Sequence, residues 1–414
     1  MRSRQSDTTT LRSLAGRYAD VAARPVQEER RALWASHHGL RSTRVPVLVN
    51  FGWHNTWTKE YFGPQIECED PLFRSVELNL RMKMLHDEVG DDTILEPWIT
   101  APCAFRVPYG IFGEAYGVRR NVSGTHDDGG AWKADAPLRS WDDLETLRAP
   151  GHQIDEAQSA ENVERLGEAI GDLVEIDAGR HPGFHAFGSD ISTTVAGLRG
   201  LEQVMIDMHE SPEDLHRLLG FMRDAILEEH RQAEEAGSFS LTTQANQSMP
   251  YVDELPRPAA NAGPCTRKEL WGFCAAQEMA LVSPEFHDEF IFRYQKPIYE
   301  HFGLVHYGCC ENLAKKIDML RRLPNLRSIA VAPSADVRAC AEQIGLDYSI
   351  SYRPNPTDMV CADWDEDRIR RIISRDLGYM KGQYVHVSLK DIETVQGDVS
   401  RLRRWVGVVR SIVG

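Results

Sequence analysis

The sequence has no apolar run near the ~18–20 residues that would cross a bilayer, and "MRSRQSDTTTLRSLAGRYADVAA" at its start lacks the continuous apolar centre of a secretory signal. Positive charge is in deficit: 47 Lys and Arg stand against 62 Asp and Glu, a formal net charge of −15. Binding phosphate needs clustered cations, so the balance argues against a nucleic-acid partner and against an anionic membrane surface. There is no C-x₂-C pair, and the eight cysteines (68, 103, 265, 274, 309, 310, 340, 361) are scattered too widely for a disulfide framework. They read as reduced thiols in a cytoplasmic protein. Gly-rich phosphate loops of the G-x-G-x-x-G or G-K-[ST] kind are missing, as are internal repeats and low-complexity tracts.

What is present is an ordinary globular composition, 42% hydrophobic and 26% charged over 414 residues, with ample material for a core. Short β-rich runs predict strands at 45–50, 93–98, 173–178, 238–243, 303–308, 327–332, 347–352 and 383–389. Amphipathic stretches fill the gaps. Ser211-Pro212 opens one helix and Ser283-Pro284 another; Leu215, Leu218, Leu219, Met222 and Ile226 recur at helical spacing, and Gly237 can stop the run. The span from Cys103 to Trp132, rich in Gly and aromatics, reads as loops and a hairpin inserted after the second strand.

Eight strands alternating with helices predict an α/β fold, a (β/α)8 TIM barrel over 45–414 preceded by an N-terminal helical extension over 1–44. A doubly wound open sheet is the alternative, weakened by the missing phosphate loop. In a barrel, active groups gather at the C-terminal strand ends. Those ends carry Asn50 to Asn55, Glu96 to Trp98, Asp177 to His185, Gln244 to Tyr251, His306 to Glu311, Arg353 to Asn355 and Lys390-Asp391.

Of these, "VHYGCCEN" puts His306, Cys309, Cys310 and Glu311 within six residues. Imidazole, thiolate and carboxylate are the donor set for Zn²⁺, which takes about four ligands. Adjacent residues of an extended chain point to opposite faces, so Cys309 and Cys310 diverge unless the chain turns there. A remaining ligand would come from another strand end, with His54, His185, His386, Glu96 and Cys361 as donors. Elsewhere, Trp53 and His54 in "GWHNTW" offer an aromatic wall with a polar handle. His185 lies in a Gly-rich loop, and Asn246 and Tyr251 in "QANQSMPY" are candidates for hydrogen bonding to substrate. Each of these competes with a purely structural role, and Lys390 and Asp391 could pair with one another.

The segments "ISTTVAGLRGLEQVMIDMHESPEDLHRLLGFM", "VSPEFHDEFIFRYQKPIYEHFG" and "VHYGCCEN" make the chain resemble the uroporphyrinogen decarboxylase superfamily, in the branch of the zinc-dependent cobalamin:coenzyme M methyltransferases. The resemblance runs from about Val45 to Val413 and implies a (β/α)8 barrel with its site at the C-terminal mouth. Two departures stand out. The decarboxylases carry an Arg-rich motif after the first strand, whereas "VLVNFGWHNTW" has no arginine before Arg74, which argues against a porphyrin substrate. The methyltransferases' His-x-Cys zinc pair is one residue longer here, His306 to Cys309, and their late cysteine aligns near Lys390.

The leading expectation is therefore a methyltransferase-like enzyme. Zinc held by His306, Cys309 and Cys310 would activate a small-molecule thiol, and the resemblance allows a corrinoid methyl donor, a corrinoid protein as partner and a homodimer as assembly. Glu311 would orient or act as base, and Arg353 with Asn355 would suit a substrate carboxylate or sulfonate. A metal-independent lyase or decarboxylase is the rival, with Arg353 and Lys390 holding a carboxylate and Asp177 or His185 moving the proton. A small-molecule-binding accessory protein on the same scaffold is the third class.

Overall fold

The computed structural model describes residues 4–52, 54–106, 114–119, 121–124 and 132–414. Among them are eight strands that pair in parallel: β1 (Val47–Val49), β2 (Trp98–Ala101), β3 (Glu175–Ala178), β4 (Trp271–Cys274), β5 (Leu304–Tyr307), β6 (Leu326–Val331), β7 (Ser349–Tyr352) and β8 (Val385–Leu389). Six form one curled sheet in the order β1-β8-β7-β6-β5-β4, and β2 pairs with β3 in a second sheet. Two short antiparallel pairs, Glu114–Ala115 with Val118–Arg119 and Asn121–Gly124 with Trp132–Asp135, follow β2. That is the excursion the Gly-rich composition predicts. No described helix is long and apolar enough to cross a membrane.

The period of two along a strand decides which side chains meet. Val47, Val49, Val305, Tyr307, Ile329, Val331, Ile350, Tyr352, Val387 and Leu389 face the helices and join the main apolar cluster. Their alternates face the other way and include, beside Leu48 and Ala330, the polar His306, Ser328, Ser349, Ser351, His386 and Ser388, all buried. Register places Phe273 beside His306, His306 beside Ser328, and Ser328 beside Ser349, a row across four strands. The concave face is thus unusually hydrophilic for a parallel sheet, whose faces are ordinarily apolar.

Where the two sheets do not pair, side chains take the place of the ladder. On β1, Val47 N donates to Asp92 Oδ2 at 2.8 Å and Val49 N to Asp91 Oδ2 at 2.9 Å. Arg44 and Arg410 neutralise Asp92. On β3, Asn261 mimics a strand edge, accepting from Ala178 N at 3.1 Å and donating to Ile176 O at 3.0 Å. Buried backbone groups need such partners.

Two expected strands fall elsewhere. Residues 238–243 form no strand, because Ser240 and Thr243 hydroxyls bond the Arg180 carbonyl and Thr242 donates to Asp177, local bonds that compete with a ladder. The fourth strand is instead the fully buried "WGFC" at 271–274. The 93–98 run is displaced to 98–101, since Leu95 N is taken by the Gln27 side chain.

Helices α1 (Arg4–Ala22) and α2 (Val26–His38) precede the first strand. Apolar residues of α1 pack with Leu80, Ile99, Leu166 and Ile170 beside the two-stranded sheet. The end of α2 covers the N-terminal edge of the concave face, where Trp34 and His37 meet His386 and His38 meets Trp271. Of the two Ser-Pro helix starts, Ser283 caps through its side chain onto Phe286 N, whereas Ser211 makes no side-chain cap.

Candidate active site

β5 ends in a sharp bend. Gly308 adopts φ +106°, and a Cβ there would lie 2.7 Å from Leu313 Cδ1 and 3.0 Å from Ala330 Cβ, so only glycine fits. The turn carries the two cysteines to one side instead of opposite faces: Cys309 Sγ lies 3.5 Å from Cys310 Sγ. Two clamps fix the Cys309 peptide. Its N–H donates to Glu311 Oε2 at 2.8 Å, and its carbonyl accepts from Arg353 Nη1 at 2.5 Å. Glu311 also accepts from Ala276 N at the end of β4, so one buried carboxylate ties two strand ends together. Burial pushes that carboxyl above its usual range.

From the end of β8, Lys390 Nζ reaches 3.1 Å from Cys309 Sγ and 3.9 Å from Cys310 Sγ. It lies 3.6 Å from Asp391, the neighbour sequence reasoning offered as its partner. Gln247 donates to Cys309 Sγ at 3.6 Å. Phe273, Ala275, Ala186, Phe187 and Ala245 form an apolar wall around the same sulfur. Cys309 is buried, while Cys310 is exposed and touches Asp391 Oδ2 at 3.5 Å.

The electrostatics follow from these contacts. The Cys310 thiol, donating to Cys309, together with Lys390 and Arg353, holds the Cys309 thiol well below its ordinary range against the opposing effect of burial. The same hydrogen bond pushes Cys310 up. The pair therefore gives up its first proton more readily than its second.

These residues do not fit a zinc ion. His306 Nδ1 is 3.0 Å from Ser328 Oγ, and Nε2 is 3.1 Å from both the Arg353 guanidinium and the Gly308 carbonyl, so the protein itself engages both ring nitrogens. Burial, helped by Arg353, pushes the ring well below its usual range and keeps it neutral. Lys390 already supplies the cation beside the sulfurs. Among the described residues no group of three His, Cys, Asp or Glu could hold a metal.

The structure therefore brings together His306, Cys309, Cys310, Glu311, Arg353 and Lys390. Other sequence candidates lie in different company. Asp177 accepts from Asn261 N and Thr242, so both of its oxygens serve local structure. Tyr251 bonds Glu96 at 2.6 Å and Arg31 at 3.1 Å, and Asn246 closes its own turn onto Ser248 and Met249. His185 lies with its ring tilted against that of His181, and burial pushes it down to about 3. His54 and Asn355 are exposed, Asn355 accepting from Thr357 N. Trp53 lies outside the described residues. Arg353 has its guanidinium spent on Cys309, His306 and Ser351 rather than turned toward the mouth. Within the stretch from Gln244 to Tyr251 sequence reasoning singled out Asn246 and Tyr251 but not Gln247, which sits on a backbone at φ +56° that its residue type does not announce.

A parallel α/β sheet with a thiol–thiolate–lysine cluster at its strand ends is the class that fold and site define. No family model matches the chain, and no curated protein matches it. Among solved structures it is similar to a methyltransferase from Methanosarcina mazei at 13% identity, with a TM-score of 0.55 over 93% of this chain and 99% of that one. At that identity the likeness is one of fold.

Proposed function

We propose that the chain is a transferase that moves a methyl or comparably small group onto a small thiol, using Cys309 and Lys390 in place of a metal. The two sheets are taken as arcs of one (β/α)8 barrel over 45–414, with 1–44 as a helical extension, and its mouth as the site. The supporting observation is the ammonium of Lys390 lying 3.1 and 3.9 Å from two sulfurs that are themselves 3.5 Å apart. A substrate thiol that binds against Lys390 beside Cys309 Sγ meets a base and an ammonium together. The substrate S–H bond breaks and its proton passes to Cys309 Sγ. Lys390 holds the resulting thiolate, which attacks the methyl carbon; the carbon–donor bond breaks and its electron pair leaves with the donor. General-base and charge stabilisation of this kind contribute about 10²–10⁴-fold. The donor proposed is a methylated corrinoid, the one the superfamily resemblance implies.

The test supplies reduced protein with methylcobalamin and a small thiol and measures the thioether by mass. Formation well above the uncatalysed rate, reduced at least about 100-fold in Cys309→Ser and Lys390→Met, supports the proposal. Full activity in Cys309→Ser, or none in the wild type, rejects it.

A further inference from the structure

The Cys309–Cys310 pair has features that thiol activation alone does not need. Cys310 is the most open to solvent of the eight cysteines, and it stands next to the buried Cys309. Adjacent cysteines in an extended segment cannot meet, yet the turn at Gly308 leaves these sulfurs 3.5 Å apart. A disulfide bond is about 2.05 Å long, so the two sulfurs have about 1.5 Å left to close. Lys390 lies within reach of both sulfurs, and Asp391 meets the outer one. Neighbouring Cα atoms are about 3.8 Å apart, below the usual disulfide range of about 4.4–6.8 Å, so closure also twists the 309–310 peptide that Arg353 holds by its carbonyl, and the strained bond is readily reduced.

We propose that Cys309 and Cys310 form a redox centre that reacts with small hydroperoxides and closes to a disulfide between neighbours, shutting the site. The Cys309 sulfur attacks the near peroxide oxygen; the O–O bond breaks and its electron pair leaves as hydroxide or alkoxide, protonated from Lys390. Cys309 is now a sulfenic acid. The Cys310 sulfur attacks it, the S–O bond breaks, and the departing hydroxide takes the Cys310 proton as water. Two electrons pass from the cysteines to the peroxide. The exposed Cys310 is the entry point for a thiol reductant, which restores both groups.

This inference does not depend on methyl transfer, and its readout is separate. The reduced full chain is treated with stoichiometric hydrogen peroxide and analysed by intact mass and peptide mapping. The wild type should lose about 2 Da (two hydrogens) and two titratable thiols, with the link between 309 and 310, and dithiothreitol should reverse it. Cys310→Ser should stop at a Cys309 sulfenic acid captured by a 1,3-diketone, and Cys309→Ser should give neither product. Direct passage of the wild type to Cys309 sulfinic acid, or a link from Cys309 to any other cysteine, overturns the proposal. A protein that forms the disulfide but transfers no methyl group refutes only the transferase reading.

Discussion

Replacing Lys390 by Met removes the ammonium and keeps the length of the side chain. Opposite unit charges 3.1 Å apart attract by about 1 kcal/mol in bulk water and by about 5 kcal/mol at an effective dielectric near 20. At about 1.4 kcal/mol per unit, the Cys309 thiol should rise by about 1 to 4 units. Lys390 is only 11% exposed, but the Cys310 hydrogen bond is the larger cause of the lowered thiol, which places the expectation in the lower half of that range. The Cys310 hydrogen bond and Arg353 remain, so the rise does not return Cys309 to an unperturbed cysteine.

The assay is the rate of iodoacetamide alkylation at Cys309 against pH, read by peptide mass. Each unit of rise lowers the thiolate fraction on the acid limb tenfold. It also makes the thiolate about threefold more nucleophilic, because reactivity follows basicity with a slope of about 0.4–0.5. The variant should therefore react about threefold more slowly per unit at low pH and about threefold faster on its plateau, and the two curves should cross. Lys390→Arg should stay close to the wild type. A change in packing alone does not produce a crossing. Superimposed profiles for Lys390→Met and wild type would refute the assignment of the ammonium to Cys309.

Two further outcomes follow from the fold. Gly308→Ala should cost about 2–4 kcal/mol, combining a left-handed backbone with a crowded Cβ, seen as a lower urea midpoint; an unchanged midpoint would mean the turn is more yielding than its 2.7 Å contact implies. Burial pushes His37 down to about 3 and His38, His306 and His386 well below their ordinary range, so the native state excludes protons that the unfolded chain takes up below about pH 6.5. Stability is complete above that pH and is lost toward pH 3 at about 1.4 kcal/mol per unit for each ring; against a total of about 5–15 kcal/mol, equal urea midpoints at pH 7.5 and 5.5 would contradict the burial of these four side chains.

The strands most legible in the sequence are those whose alternation is chemical as well as apolar. "VHY", "SIA", "SIS" and "VHVSL" switch between aliphatic or aromatic and small polar residues, and the strands formed at 304–307, 326–331, 349–352 and 385–389 lie within a residue or two of the expected ones. "WGFC" was missed because all four of its residues are buried and it is too short to show a period. The 238–243 run fails for a reason only the fold reveals: its hydroxyls find carbonyl and carboxylate partners in the loop after β3. At the site, His306, Cys309, Glu311, Arg353 and Lys390 could be read from positions at strand ends. Their partners could not. Nothing in the sequence says that Arg353 turns back onto the Cys309 carbonyl or that Lys390 crosses from β8 to the sulfurs at the end of β5.

The polar concave face explains why those crossings occur. Four serines and two histidines inside a sheet would ordinarily be exchanged for aliphatic residues at no cost in stability, since buried polar groups are tolerated only when paired. Here the bonds of Ser328, His306 and Ser351 lead toward the mouth. Ser328 meets one nitrogen of His306 and Ser351 accepts from Arg353, while Arg353 bonds His306 and the Cys309 carbonyl. Each bond reduces the freedom of the next side chain toward the mouth, and the last in line is the peptide that carries the reactive sulfur. Arg353 acts there as a fixed support, and an Arg353→Lys change, which keeps the charge but loses the planar fork, bears on the position of Cys309 more than on its ionisation.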